Sequence, residues 1–572
     1  MAQAYVICPA QGSDQADEWV RLGVDSQVSS NTSPDVAARN SKLAEAQARY
    51  QQALRLDPRH AIATMNLAIV FAQSNLLNEA MLTIERAEMF DGVHSIIPMN
   101  RAMMALESDR IDEALTCARR AVVLAPKEVP ALLTLAQVLA TAGLAHEAVP
   151  LYNQILDLDP KHPTAAVNAC FVQTLTSASP AALLAQRKRW YEVNRHPVAF
   201  APHLNDHSLD RPLRIGYVGG DFKQHSAAFI FSHVLLHHTP AVEMYLYSTL
   251  PSDPVADYKT KRFVDLAGPR WRDISTLTDE AADALIRKDK IDILVDLAAH
   301  TNGGRLALFT RKPAPVQVSA WGFAHGTGVP EIDYFFADPI AVPEQDRQFY
   351  AEKVVDLPCI VTMEPPTEYN HKPSSHPPIR KNGYITFGSY ARYEKMSDEC
   401  LRSFAEIMQR VPESRMTFKD NAYRRPYSLR RIMSLMPNIA PERLLFSTAT
   451  NHPDHMLAYQ QCDLALDPWP HGGGVVSMEQ LYMGVPLLTL YGTQPAGRSA
   501  ASILAAMNRT DWITGTPEAY IEKAVALAEN PKPLGDARKT LRDELLKSPV
   551  VAGYVEAVEA KYREIWRKWV ES

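Results

Sequence analysis

Residues 463–492 read DLALDPWPHGGGVVSMEQLYMGVPLLTLYG. The runs DLALDP (463–468) and PLLTLYG (486–492) have the length and composition of short buried strands. Between them come a Pro-rich turn, the glycines Gly472, Gly473 and Gly474, and what reads as a short amphipathic helix. A glycine loop that opens a helix can present backbone N–H groups and the helix dipole to a phosphate, but many such loops are only tight turns. Strand, loop, helix and strand in that order indicate a parallel sheet with crossover helices.

The same alternation continues upstream. YITFGSY (384–390), SRMTFK (414–419) and RLLFST (443–448) are further strand candidates, separated by helical stretches near 397–410, 428–436 and 453–461. Earlier still come RPLRIGYVGGDF (211–222), MYLYST (244–249), IDILVDLA (291–298), APVQVSAW (314–321) and IDYFFAD (332–338). A Pro-, Ser- and Asn-rich segment, 363–383, divides the two series. The expectation is two Rossmann-like halves, 211–375 and 376–545, facing each other across a cleft, with ligands at the C-terminal ends of the strands. A terminal helix over 546–572, with Tyr562, Ile565, Trp566 and Trp569 along one side, is expected to pack back on the body.

The first third has another period. Pro58, Gly92, Pro126 and Pro160 are spaced by 34 residues, as are Glu45, Glu79, Glu113 and Glu147, each followed by alanine. Ala68, Ala102 and Ala136 keep the same interval. That is the tetratricopeptide pattern, so an α-solenoid over 38–175 is expected to precede the α/β halves and to offer a surface for a protein partner. Residues 1–37 read as a flexible segment, and 176–210 as a linker whose basic helix (180–196) is solvated.

Composition narrows the class. The 572 residues carry a net charge of −6 with 46% hydrophobic content, a globular profile that argues against a nucleic-acid partner. No run is long and apolar enough for a membrane span, and the N-terminus lacks the features of a secretory signal. Six scattered cysteines form no CxxC pair, which fits a cytoplasmic protein and supplies no zinc site.

RIGYVGGDFKQHS (214–226), ILVDLAAHTNGGR (293–305), RKPAPVQVSAWGF (311–323), ITFGSYARYEK (385–395) and the glycine segment, following the repeats in this order, resemble the O-linked N-acetylglucosamine transferase / SPINDLY family. The resemblance implies a GT-B fold and an inverting, metal-independent transfer of sugar from a nucleotide donor to Ser or Thr of a protein held along the repeats. No cofactor or metal is expected. Lys395 matches a lysine against the donor diphosphate, where a cation would offset the charge of the leaving group. Arg392 and Ala391 stand where bacterial members usually carry amides. His225 matches a histidine facing the cleft, suited to handling the acceptor's proton, and Asp221 is the other candidate or else a cap for the following turn.

His300 and Thr301 match the loop lining the sugar site, Arg305 contacts acceptor or braces that loop, and His325 has no assigned role. His455 matches a residue near the nucleoside, and its neighbour His452 stands where the family can carry lysine. Arg498 matches a family arginine that is structural or near the diphosphate. Gly472, Gly473, Gly474, Val475, Val476 and Ser477 form the expected phosphate loop, with valines where the family has threonines. Each missing hydroxyl removes ~1–2 kcal/mol of hydrogen bonding, and Ser477 is placed to recover one. Glu479 either reaches the ribose or favours the helix dipole, and the two are compatible.

UDP-N-acetylglucosamine is the family's default donor. GDP-fucose and a CMP-linked nonulosonic acid are alternatives, the latter with a flagellin acceptor. A repeat scaffold without strong catalysis is the reading from another class, and a sugar-nucleotide epimerase is disfavoured by the repeats.

Overall fold

The computed structural model describes residues 5–10, 12, 14–31, 35–197, 200–368 and 371–572. The chain falls into two compact units, Met1–Ala165 with Arg424–Arg430, and Ala166–Tyr423 with Arg431–Ser572.

The first unit is a stack of helix pairs: Gln15–Asn31 with Val36–Leu56, Ala61–Gln73 with Leu77–Phe90, Ile96–Glu107 with Ile111–Leu124, and Val129–Thr141 with Ala145–Leu158. The alanines that recur every 34 residues are its close contacts. Ala46, Ala80, Ala114 and Ala148 on the second helices, and Ala68, Ala102 and Ala136 on the first, are all 0% exposed. A larger side chain at any of them would overpack the helix crossing. Within three of the pairs the turn uses a left-handed residue at the same interval, Asn75, Asp109 and Gly143, with φ of 61°, 58° and 78°. These three residue types tolerate that conformation best.

The expected flexible segment 1–37 is corrected in part: Gln15–Asn31 is a packed helix. Its Trp19 and Val20 join Leu43, Ala46 and Tyr50 in an apolar cluster. Its polar face is also buried and satisfied, since Gln27 accepts from the Tyr50 hydroxyl (2.7 Å) and donates to Gln73 (2.9 Å). The remainder of that expectation falls partly on residues 1–4, 11, 13 and 32–34, outside the described residues.

The second unit holds two parallel sheets. The first comprises β1 (Leu213–Gly219), β2 (Val242–Ser248), β3 (Trp271–Asp273), β4 (Ile293–Asp296), β5 (Val316–Ser319), β6 (Tyr334–Ala337) and β7 (Lys353–Asp356), in the order β3-β2-β1-β4-β5-β6-β7. The second comprises β8 (Thr386–Ser389), β9 (Arg415–Lys419), β10 (Leu444–Ser447), β11 (Leu464–Leu466), β12 (Leu487–Leu490) and β13 (Ile513–Thr514), in the order β10-β9-β8-β11-β12-β13. Each is a Rossmann-like sheet whose strand order reverses once, between β1 and β4 and between β8 and β11. Loops diverge at those points and leave a crevice above the strand ends.

The helix Tyr554–Glu571 returns to the first sheet, where Tyr562 shares a hydrogen bond with Tyr217 (3.1 Å) and Tyr554 accepts from Trp321 Nε1 (3.0 Å). The basic helix Pro180–Asn194 is not merely solvated, which corrects a second expectation. Its Arg187 is 3% exposed, donates to the Phe349 carbonyl (3.1 Å), and lies on the face that buries Leu183 and Trp190 against the first half.

Candidate active site

Four loops leave the sheets at the two reversal points, and three carry the candidate chemistry. After β1, Asp221 and His225 face each other, Oδ1 to Nδ1 at 3.4 Å. His225, not Asp221, caps the next helix, Ser226–Leu236, accepting from the Ala227 amide (3.3 Å). Its imidazole is half-exposed, whereas Asp221 is mostly buried. Burial raises the Asp221 pKa and lowers that of His225, with the attraction between the two opposing both displacements. His225 is therefore a neutral base at neutral pH, oriented by a carboxyl group and a helix terminus.

After β8, a turn of 3-10 helix at Tyr393–Lys395 brings Lys395 under the glycine loop, where its Nζ donates to the Gly472 carbonyl (2.8 Å). Desolvation and the neighbouring Arg392 lower the Lys395 pKa to about 7, against the pull of Asp467 and Glu394. Arg392 is exposed and also depresses His225, so one guanidinium lies within reach of both candidate catalytic groups.

After β11, Asp467 organises the glycine loop. Its carboxylate accepts from the Gly473 amide (2.7 Å) and the Thr489 hydroxyl (2.8 Å), while the Gly472 amide donates to the Ala496 carbonyl (3.0 Å). Two of the amides expected to hold phosphate are thus spent inside the protein. The helix Val475–Tyr482 itself starts with no side-chain cap at Gly474. The amides at Val475, Val476 and Ser477 are the first-turn donors that a helix leaves without intrahelical partners. A Cβ at Gly473 would meet Ser477 Oγ at 2.3 Å, so glycine is required there, while one at Gly474 would meet nothing within 4 Å. Ser477 Oγ is buried without a hydrogen-bond partner.

One turn further, Glu479 is buried in a network. Its Oε1 pairs with His452 Nε2 (2.7 Å), and its Oε2 accepts from Tyr459 OH (2.8 Å), which in turn meets His455 Nε2 (2.8 Å). Desolvation lowers the His455 pKa, with Glu479 opposing. Phe229, one turn beyond His225, lies against the His452 ring (4.5 Å between centroids), so the helix capped by His225 touches the Glu479 cluster. Both expectations for Glu479 change in emphasis: its carboxylate holds a histidine and a tyrosine before any ribose.

The structure brings His225, Asp221, Arg392, Lys395, the glycine loop, Glu479 and His455 to the paired strand ends. It does not bring His300 there as a free side chain. His300 is 1% exposed, its Nε2 is bonded to the Thr327 carbonyl (2.7 Å), and burial lowers its pKa to about 4. Thr301 Oγ1 is turned back to the Ala298 carbonyl (2.7 Å). Of the two expectations for Arg498, its contacts are those of the structural one. Its guanidinium donates to the carbonyls of Gly492 (2.7 Å), Thr493 (3.0 Å) and Ala341 (3.3 Å) and pairs with Asp346, which engages four of its five N–H donors in tying the two halves together. Arg305 braces its own loop through Asp279 (2.6 Å) and the Ile274 carbonyl (2.6 Å). His325 is buried and meets Gln494 (3.1 Å).

Sequence reasoning missed Asp467 and Tyr459, whose signal is only their position, at a strand end and one helical turn after His455. Among the described residues, one group could hold a metal ion: His233, His237 and Glu364. It sits toward the opposite end of the helix from His225, about 12–18 Å along the axis, and outside the reaction centre.

A model of glycosyl transferase family 41 matches residues 176–363 and 380–556, and a tetratricopeptide repeat model matches 35–92 and 99–163. The chain is 34% identical over 376 residues to a probable UDP-N-acetylglucosamine–peptide N-acetylglucosaminyltransferase SPINDLY of Solanum lycopersicum, covering 63% of this chain and 39% of that protein. A protein of Arabidopsis thaliana named SEC, with the same description, is 29% identical over 366 residues, covering 62% and 37%. The chain therefore spans about two fifths of the length of these curated relatives. The solved structure of a mutant O-GlcNAc transferase from Thermobaculum terrenum is similar with a TM-score of 0.77 and 28% identity, over 89% of this chain and 98% of that one. Two Rossmann-like domains that follow helical repeats in the sequence make this a GT-B architecture. The family model takes in well over half of the sequence, and the chain belongs to glycosyl transferase family 41.

Proposed function

We propose that the protein is an inverting O-glycosyltransferase that moves a sugar from a nucleotide donor to a Ser or Thr hydroxyl of a protein. The observation that carries this reading is the placement of Lys395 Nζ at 2.8 Å from the Gly472 carbonyl, next to an uncapped helix start. A nucleotide phosphate laid on the Val475–Ser477 amides would meet a half-buried lysine at the same point.

The acceptor oxygen attacks the anomeric carbon from the face opposite the leaving group. The bond to the phosphate oxygen breaks with its electron pair, and the sugar is inverted. Lys395 and the helix amides stabilise the charge that the nucleotide takes away. His225 receives the proton of the attacking hydroxyl on Nε2 in the tautomer whose Nδ1–H turns to Asp221 and releases the Ala227 amide. Glu479, His452 and Tyr459 form the polar wall beside the nucleoside. In this mechanism Lys395 supplies the positive charge, and no divalent ion is assigned a step.

UDP-N-acetylglucosamine is the proposed donor, supported by the names of the relatives. Val475 and Val476 put no hydroxyl beside the phosphate, which favours testing a one-phosphate CMP sugar alongside it. The test is mass spectrometry of proteins co-expressed with the enzyme, combined with hydrolysis of UDP, GDP and CMP sugars. A mass increment of one N-acetylhexosamine on Ser or Thr is expected. An enzyme with intact Lys395 that neither transfers from nor hydrolyses any donor would sink the proposal in favour of a binding scaffold.

A further inference from the structure

The helix Ser226–Leu236 ends against two segments that are distant in sequence, and two histidines and a glutamate meet there. His233 lies in its last turn, and His237, four positions on, is its C-cap. Histidines at that interval stand on one side of a helix, where both can reach a single ion. Glu364, at the start of the Pro-rich segment that divides the two α/β halves, completes the group. Its Oε2 lies 3.4 Å from His233 Nδ1 and 3.0 Å from His237 Nε2, and the three atoms are all within 4.8 Å of one another. The adjacent His238 is held elsewhere, by Glu559 (2.9 Å) and Tyr217 (2.7 Å).

In a tetrahedral zinc site, with bonds of about 2.0–2.2 Å, neighbouring ligand atoms are about 3.3–3.6 Å apart. Two edges of the triangle are close to that spacing. The third, between the imidazoles, closes by rotation of His237, whose side chain is half-exposed. The backbone around the site is already pinned. The Glu364 amide donates to the Phe229 carbonyl (3.1 Å), and the Thr362 hydroxyl donates to the Val550 carbonyl (2.6 Å). Arg262 stands 3.7 Å from Glu364 Oε1 and leaves Oε2 to the histidines.

The buried His233 faces an acceptor on each side. The Val551 carbonyl lies 3.1 Å from its Nε2, opposite the carboxylate at Nδ1. Both partners only accept, and a neutral imidazole has one N–H to share between them. With that proton on Nε2, the Nδ1 lone pair points at the carboxylate, and either a second proton or a metal ion has to stand between them. An imidazole whose far nitrogen donates to a backbone carbonyl is the usual support of a zinc ligand.

We propose that His233 Nδ1, His237 Nε2 and Glu364 Oε2 bind one Zn²⁺, with water in the fourth position on the exposed side of His237. Two imidazoles and a carboxylate suit zinc and its transition-metal neighbours, whereas Mg²⁺ and Ca²⁺ call for oxygen ligands. The ion is a clamp. It joins the far end of the helix capped by His225 to the segment between the halves and, through His233, to the Val551 carbonyl ahead of the terminal helix. It takes no part in sugar transfer, and the site does not rest on the transferase reading.

The test is Zn²⁺ binding to the untagged full chain after chelator treatment, followed by calorimetry. One equivalent should bind, excess Mg²⁺ should not displace it, and thermal denaturation should move upward with the ion bound. His237→Gln and Glu364→Gln should each weaken Zn²⁺ at least about tenfold with circular dichroism unchanged, and the double variant should lose the equivalent. Co²⁺ in place of Zn²⁺ should give the visible absorption of a four-coordinate ion in the wild type and not in the double variant. A stripped wild type that takes up no Zn²⁺ overturns the proposal. So does an equivalent bound as tightly by the double variant, which would place the ion on other histidines.

Discussion

Lys395→Met should make the protein less active and, without nucleotide, more stable in mild acid. Burial brings the Lys395 pKa from 10.5 down to about 7. The unfolded chain therefore binds a proton that the folded chain has lost between pH 7 and 10.5, and stability rises with pH across that window. At 1.36 kcal/mol per tenfold, holding the charged lysine in the folded protein below pH 7 costs on the order of 4–5 kcal/mol. Methionine removes that cost together with the Gly472 hydrogen bond, worth about 1 kcal/mol. Denaturant titrations near pH 6 should thus show the variant more stable by a few kcal/mol, and the gap should shrink toward pH 9. With saturating nucleotide diphosphate the order should reverse, because the anion favours the charged lysine. Transfer kinetics should show kcat lower by ~10²–10³, the usual loss for a group aimed at developing charge. In the wild type, kcat/KM should fall tenfold per pH unit above about 7, and Lys395→Arg should abolish that limb because guanidinium stays charged. A variant no more stable near pH 6, or one with kcat within about threefold of wild type, would refute the reasoning.

Arg498→Met should destabilise the protein by ~3–5 kcal/mol, because it leaves Asp346 buried without its partner; thermal denaturation measures this, and unchanged donor affinity in the folded fraction separates bracing from binding. Val476→Thr should tighten UDP about two- to tenfold by adding one hydroxyl to the first helical turn, worth ~0.5–1.5 kcal/mol; calorimetry showing no change would deny phosphate at that turn. His225→Ala should lower kcat by ~10²–10⁴. Because burial lowers the His225 pKa, the acid limb of the wild-type kcat/KM profile should lie below the ordinary histidine value of about 6.5, with activity lost as pH falls through it, and the limb should vanish in the variant.

The central strands were legible because each is an apolar run. The three strands that escaped, β3, β7 and β13, have three, four and two residues and lie at or near sheet edges. Their residues, WRD, KVVD and IT, are too few to establish a period, and pairing partners decide them. The Gln15–Asn31 helix escaped for a different reason. Its buried Gln27 and Ser30 look like surface residues until Tyr50, Gln73 and the helix backbone satisfy them. The loops that the resemblance names leave the strand ends at the two reversal points. The resemblance could not say which groups there are already spoken for. Arg498 and the amides of Gly472 and Gly473 are consumed by Asp346, Ala496 and Asp467, from segments whose proximity only the fold creates.

Asp467 gives that consumption a purpose. Its carboxyl is desolvated enough to bring its pKa up to about 6, while Lys395 beside it comes down to about 7. Neither is at its ordinary value, because each attracts the other too weakly to repay burial of both charges. A phosphate arriving at the helix start would favour charged Lys395 and would oppose charge on Asp467. The proton equilibrium would then shift toward a cation facing the ligand and a neutral acid behind it. Asp467 could still brace the Gly473 amide through its carbonyl oxygen and would cease to compete for the lysine. Under the proposed reading, that carboxyl would hold the loop's shape in either state and leave the positive charge to the nucleotide, which a carboxylate at its ordinary pKa would not.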